Sequence, residues 1–201
     1  RYSSSGWKYY KSSDEIPSNW ITCITQDKKS NIYFVGTIAG LIQIKNKPIN
    51  ISRGTIIENQ NIVALCLIDN RNLLVGTLTG LYKFDFIEKK VIKLKDLWVT
   101  SIKQLNDNEY IFADKSGLFL YNNINNRIIK YPVDLKSILP TNDVYGNFYI
   151  NSIYREGDNH IWIGTSFNRV FEIYNNKIIE YVVSQPSNII NKVNDICKDI
   201  D

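Results

Sequence analysis

The chain carries few groups of the kind that do covalent chemistry. Its 201 residues include one histidine, His160, and three cysteines, Cys23, Cys66 and Cys197. A Ser-His-Asp or Cys-His nucleophile needs a histidine poised in a pocket beside it. His160 follows the polar turn Glu156-Gly157-Asp158-Asn159 and reads as a solvated turn residue. A transition-metal box needs clustered His or Cys ligands, and no Cys-x-x-Cys pair is present. The Asp/Asn turns lack the spacing of an EF-hand loop. Two carboxylates alone suffice for a glycosidase, but acidic pairs such as Asp14-Glu15 sit in loops and none recurs at an equivalent inward position. No catalytic residue, metal ligand or cofactor is therefore assigned.

Binding chemistry is better represented. Trp20, Trp98 and Tyr149 each stand just before a short apolar segment, with Asn61 and Lys192 in the same register. Flat aromatic faces stack on the apolar faces of sugars, and nearby polar groups bond the hydroxyls. The alternative is that these rings seal joints between repeated units. Asp114, Lys115, Asn168 and Arg169 form a second group, marked because they break a phrase that the chain otherwise repeats. The segment Pro132–Phe148, with Asp134, Lys136, Asp143 and Tyr145, is a long loop on the same side, able to reach a ligand or to serve as surface decoration.

That phrase dictates the architecture. It reads Ile-Thr-Cys-Ile … Tyr-Phe-Val-Gly-Thr-Ile-Ala-Gly-Leu over 21–41 and returns as Ile-Val-Ala-Leu … Leu-Leu-Val-Gly-Thr-Leu-Thr-Gly-Leu over 62–81. Residues 99–118 give Val-Thr-Ser-Ile … Ile-Phe-Ala-Asp-Lys-Ser-Gly-Leu, and 150–170 give Ile-Asn-Ser-Ile … Ile-Trp-Ile-Gly-Thr-Ser-Phe-Asn-Arg-Val. A fifth opens at Val193-Asn194-Asp195-Ile196. Eleven residues separate Leu65 from Gly76, Ile102 from Ala113 and Ile153 from Gly164; twelve separate Ile24 from Gly36. Between repeats the interval varies from 37 to 51 residues. Tight spacing within and loose spacing between is the mark of a supersecondary unit with variable loops.

Each unit supplies four strand candidates joined by turns such as Asp69-Asn70-Arg71-Asn72 and Asn175-Asn176. Four short antiparallel strands per repeat make the blade of a β-propeller. Helical repeats are excluded, because no segment sustains a 3.6-residue period and β-branched residues dominate. The expected fold is all-β, a partial propeller ring with repeats near 20–60, 61–97, 98–148 and 149–191. Residues 1–19 and 192–201 are assigned to adjacent blades. Small residues at the centre of each first strand (Cys23, Ala64, Ser101, Ser152, Asp195) suit a crowded axis, and Gly36, Gly76 and Gly164 allow close approach of backbones. Trp162, flanked by Ile161 and Ile163, reads as blade packing, and Trp7–Lys11 as the outermost strand of a preceding blade.

Composition removes several function classes. A hydrophobic share of 44% with 12% aromatics is that of a folded chain. The net charge of +4 is mild and its lysines and arginines are scattered, without the cluster that tracks a phosphate backbone. No nucleic-acid partner is expected. No run of about 18 apolar residues occurs, so no membrane contact is expected within this segment. The cysteines occupy different registers of the repeat, which reads as three separate thiols.

The recurring phrase resembles that of the two-component regulator propeller family: an apolar-x-x-Ile strand, an acidic turn, a Trp-Ile-Gly-Thr strand and a Gly-Leu start to the next. Ile150-Asn151-Ser152-Ile153 with Asp158-Asn159-His160-Ile161-Trp162-Ile163-Gly164-Thr165 comes nearest, and residues 21–41 and 62–81 match the Gly-Thr-x-x-Gly-Leu half. Ala113-Asp114 in the third copy and Arg169-Val170 in the fourth depart from it. The resemblance implies the periplasmic sensor ectodomain of a hybrid histidine kinase, usually dimeric, that binds oligosaccharides released from polysaccharides. It implies a non-catalytic chain here, with the kinase elsewhere, and remaining blades or a second copy as partners. The competing expectations are a protein-interaction scaffold, favoured by a flat apolar face, and a propeller lyase or hydrolase, which needs clustered carboxylates or a His–Arg pair near the axis.

Overall fold

The computed structural model describes residues 2–3, 6–7, 9–10, 15–114, 117–133, 149–157, 159–166, 169–182 and 193–198. Among them every regular element is a β-strand. Strands β1 (Tyr2–Ser3) and β2 (Gly6–Trp7) pair as a small hairpin. Then come four sheets of four strands. The first holds β3 (Ile21–Asp27), β4 (Ile32–Thr37), β5 (Gly40–Ile44) and β6 (Pro48–Asn50). The second holds β7 (Ile62–Leu67), β8 (Asn72–Thr77), β9 (Leu81–Asp85) and β10 (Lys90–Lys95). The third holds β11 (Ser101–Gln104), β12 (Glu109–Asp114), β13 (Gly117–Asn122) and β14 (Arg127–Lys130). The fourth holds β15 (Ile150–Gly157), β16 (His160–Thr165), β17 (Arg169–Tyr174) and β18 (Lys177–Val182). Each is a meander in chain order, the blade of a β-propeller.

Local chemistry explains the hairpins. The turn from first to second strand repeats one device, a carboxylate or amide oxygen that accepts the backbone N–H groups ahead of it. Asp69 Oδ1 takes the N–H of Arg71 at 2.8 Å and of Asn72 at 2.7 Å, and Asn106 Oδ1 takes those of Asn108 and Glu109 at 3.0 and 2.9 Å. Asn31 and Asn159 close their turns with φ of 54° and 56°, a conformation asparagine tolerates. The turn from second to third strand uses the threonine of Gly-Thr. Thr37, Thr77 and Thr165 are all fully buried. The Thr37 hydroxyl donates to the Gly40 carbonyl at 2.9 Å and accepts from the Ala39 N–H at 3.2 Å; Thr165 donates to the Arg169 carbonyl at 2.9 Å.

The described chain forms two compact units, residues 1–78 with 82–93, and residues 79–81 with 94–201. In the first, Phe34 and Leu41 of the first sheet pack with Ile62, Leu73, Val75, Tyr82 and Phe84 of the second. In the other, Ile111, Ala113 and Leu118 pack with Ile150, Ile153, Ile161, Ile163, Phe171 and Ile173. Cross-strand register sets a small residue opposite each glycine: Cys23 faces Gly36, Ala64 faces Gly76 and Ser152 faces Gly164, each pair just after a bulge. A Cβ on Gly36 would lie 2.5 Å from Cys23 Sγ and 2.8 Å from Ile62 Cγ2, so the glycine exists to let the next blade approach. Val193 repeats this at Gly164, where a Cβ would lie 2.6 Å from its Cγ1, and its N–H donates to the Thr165 carbonyl at 2.9 Å.

Two stretches expected as strands, Trp7–Lys11 and Val193–Asp199, are not strand throughout their described residues. Of the expected strand Trp7–Lys11, Trp7 belongs to β2 and Tyr9 and Tyr10 lie outside any strand, while Lys8 and Lys11 lie outside the described residues. Val193–Lys198 docks where an innermost strand begins but is not itself a strand.

Candidate functional site

The loops that enter each first strand and those joining second to third strands share one end of a blade, and hydrogen bonds tie them together. In the fourth blade the Tyr149 N–H donates to Ser166 Oγ at 3.0 Å while the Ser166 N–H donates to the Tyr149 carbonyl at 3.0 Å. In the first, the Ile38 N–H donates to the Trp20 carbonyl at 3.2 Å. Trp98 and Tyr149, which precede neighbouring blades, come together with ring centroids 5.6 Å apart and planes tilted by 42°. Trp98 keeps 37% of its surface exposed and Tyr149 is half-buried, so one ring is presented to solvent and the other braces it. Two residues beyond Tyr149, Asn151 buries an amide Nδ2 that finds no acceptor among the described residues.

The remaining candidates stand differently. Trp20, in the first unit, is 71% exposed. Asp114 Oδ1 accepts the Gly117 N–H at 3.0 Å, so it closes the hairpin that threonine closes in the first and fourth repeats. Arg169 forms an ion pair with Glu180 across β17 and β18, both side chains about a quarter exposed. Lys115, Asn168 and Lys192, and the loop residues Asp134, Lys136, Asp143 and Tyr145, lie outside the described residues.

A second constellation was missed by the sequence reading, and it corrects the assignment of His160. His160 is not a solvated turn residue: it begins β16 with its side chain 21% exposed, between two carboxylates. Its Nε2 is 2.8 Å from Glu172 Oε1 and its Nδ1 is 3.4 Å from Glu156 Oε2. The Trp162 indole N–H donates to Glu156 at 3.0 Å and Lys198 Nζ lies 3.2 Å from its other oxygen; together they hold the Glu156 carboxyl below the usual carboxylate range. Tyr181 donates to Glu172 at 2.7 Å, a bond that pushes its phenol up. Trp162 is therefore not core packing. Ile161 and Ile163 face the apolar core, whereas Trp162 points to the opposite side of the sheet with His160, Tyr174 and Tyr181. The alternation of apolar and polar residues carried that signal, since a strand with one buried face sends every second side chain away.

An apolar groove of about 590 Å³ runs along the outer face of the first sheet, lined by Ile24, Val35, Ile42 and Ile44 together with Tyr9 and Tyr10. Val35 and Ile42 are buried under Ile16, while Ile24 is 60% exposed.

No protein-family model matches the sequence, and no curated protein does. Solved structures do match by fold. The extracellular domain of BT3049 from B. thetaiotaomicron, assigned to a hybrid two component system, superposes with a TM-score of 0.63 at 17% identity, covering 86% of this chain and 23% of that one. The Cps50 (Swd1) β-propeller domain of Myceliophteria thermophila gives a TM-score of 0.60 at 16% identity over 84% of this chain and 57% of that one. The GH74 enzyme of Niastella koreensis gives 0.57 at 16% identity over 78% of this chain and 28% of that one. At these identities the likeness establishes the β-propeller fold. The chain spans about a quarter of the length of the first of these.

Proposed function

We propose that this chain is part of a ligand-sensing propeller, acting outside the cytoplasm and without catalysis of its own, that takes polysaccharide breakdown products at the end carrying Trp98 and Tyr149. The observation that carries this reading is the Trp98–Tyr149 pair, an indole left partly exposed and held by a second ring at the loop end of two neighbouring blades. Such a rigid aromatic ledge suits the apolar face of a pyranose. Extracellular domains of two-component systems share this fold, in keeping with a sensor; a GH74 enzyme shares it too, so the reading rests on the aromatic pair rather than on the fold. A protein-contact role has its own support in the open apolar groove of the first sheet, which is suited to a macromolecular neighbour rather than a sugar.

Isothermal titration of the chain against a panel of plant and host oligosaccharides tests the sensor reading. Saturable binding to one class is expected, weakened at least tenfold by Trp98→Ala in a variant with unchanged circular dichroism. Absence of binding across the panel, or full affinity in Trp98→Ala, overturns it.

A further inference from the structure

At the other end of the same two blades lies a cavity of about 380 Å³ that the reading above does not use. One wall comes from the third sheet and its flanking loops, the other from the fourth sheet. Leu120 and Ile161 supply apolar lining; Glu109, Tyr131, Arg155, Asn159 and Asn176 supply polar groups. Several of these groups are held in place before any ligand arrives. Arg155 Nε donates to the Gly157 carbonyl at 3.3 Å, which fixes the guanidinium at the strand end. Glu109 Oε2 accepts from Asn106 Nδ2 at 2.9 Å. Asn159 and Asn176 sit in left-handed turns, φ 56° and 62°, and the Asn175 N–H donates to the Asn159 carbonyl at 3.1 Å, joining the two hairpins that present them. Burial pushes the Tyr131 phenol above its usual value, in keeping with a ring withdrawn from water.

We infer that this cavity is a second small-ligand site, selective for a sugar acid. Planar amide, carboxylate and guanidinium groups over apolar lining are the set that holds a hydroxylated ring. The guanidinium of Arg155 donates its N–H groups to a carboxylate in fork geometry, an acceptor that a neutral sugar cannot offer. Glu109, on the opposite wall, can only accept, and so takes hydroxyl donors. A hexuronic acid carries its carboxylate at one end of the ring and hydroxyls at the other, which matches the cation and the anion that the described lining residues place on facing walls. The site is independent of the ledge at Trp98, and each can fail without the other.

Titration of the ¹⁵N-labelled chain with D-glucuronate and, separately, D-glucose decides the matter. Glucuronate is expected to shift the amides of residues 155–161 and 175–177 in a saturable way, and to bind at least tenfold more tightly than glucose. Arg155→Met should remove that preference. Asn176→Gly keeps the left-handed turn, deletes the amide, and should weaken glucuronate several-fold. Trp98→Ala should leave the glucuronate-induced shifts of residues 155–161 and 175–177 unchanged, because Trp98 does not line this cavity. Equal affinity for the two sugars, a preference that survives Arg155→Met, or shifts confined to residues near Trp98 and Tyr149 would overturn the inference.

Discussion

Replacing Gly36 by alanine tests the blade joint most directly. The added methyl would sit 2.5 Å from Cys23 Sγ, 2.8 Å from Ile62 Cγ2 and 3.0 Å from Ile62 Cβ. Carbon atoms in contact prefer about 3.5–4.0 Å, so roughly 1 Å must be found. Cys23 is partly buried and can turn its thiol about one bond. Ile62 cannot follow as easily: it is β-branched, fully buried and packed in the core between the first two blades. Overpacking of this kind costs about 1–3 kcal/mol, and the stiffness of Ile62 puts Gly36→Ala in the upper half. With a urea slope of about 2 kcal/mol/M, the unfolding midpoint should fall by roughly 1 M. Adding Cys23→Ala removes the sulfur but not the isoleucine, so part of the loss should return. Gly157→Ala is the control, since no atom lies within 4 Å of its added Cβ, and it should stay within about 0.5 kcal/mol of the parent. If Gly36→Ala unfolds at the parent's midpoint, or if Cys23→Ala recovers nothing, close approach at the glycine is not what holds the blades together.

Three further outcomes follow from the same structure. Thr165→Val keeps the shape of a buried side chain but strips the hydroxyl from the Arg169 carbonyl, and a drop of about 1–3 kcal/mol in unfolding free energy by denaturant titration is expected; an unchanged midpoint would show that the recurring threonine is not a hairpin clasp. Burial pushes the Cys23 thiol from an ordinary 9.0 to about 11, so the folded chain holds a proton that the unfolded chain gives up first. The stability this contributes is complete below pH 9 and lost as pH rises toward 11; unfolding midpoints should fall across that window and less so in Cys23→Ala. At pH 8 iodoacetamide, followed by mass spectrometry, should modify the exposed Cys197 well before Cys23.

The amino-acid sequence by itself determined the repeating blade. Gly-Thr, the Asp or Asn turn and the small residue of each first strand lie within about 15 positions of one another, and their interactions are local: a hydroxyl reaching its own hairpin, a carboxylate reaching the next two amides. Such contacts recur wherever the spacing recurs. The same logic makes sense of the departure at Ala113-Asp114, because a carboxylate at 114 reaches the Gly117 amide as a threonine hydroxyl reaches its loop. The tertiary structure alone decided which distant side chains meet. Trp98 and Tyr149 are 51 positions apart and touch because two blades are neighbours. Arg155 and Glu109 line one cavity for the same reason. His160 met Glu172 only through the register of β16 on β17, where Trp162 pairs with Glu172 and His160 with Tyr174. Alternation along a strand tells which side chains share a face, but the partner across the ladder is chosen by register, and register is set by the packing of the opposite, apolar face.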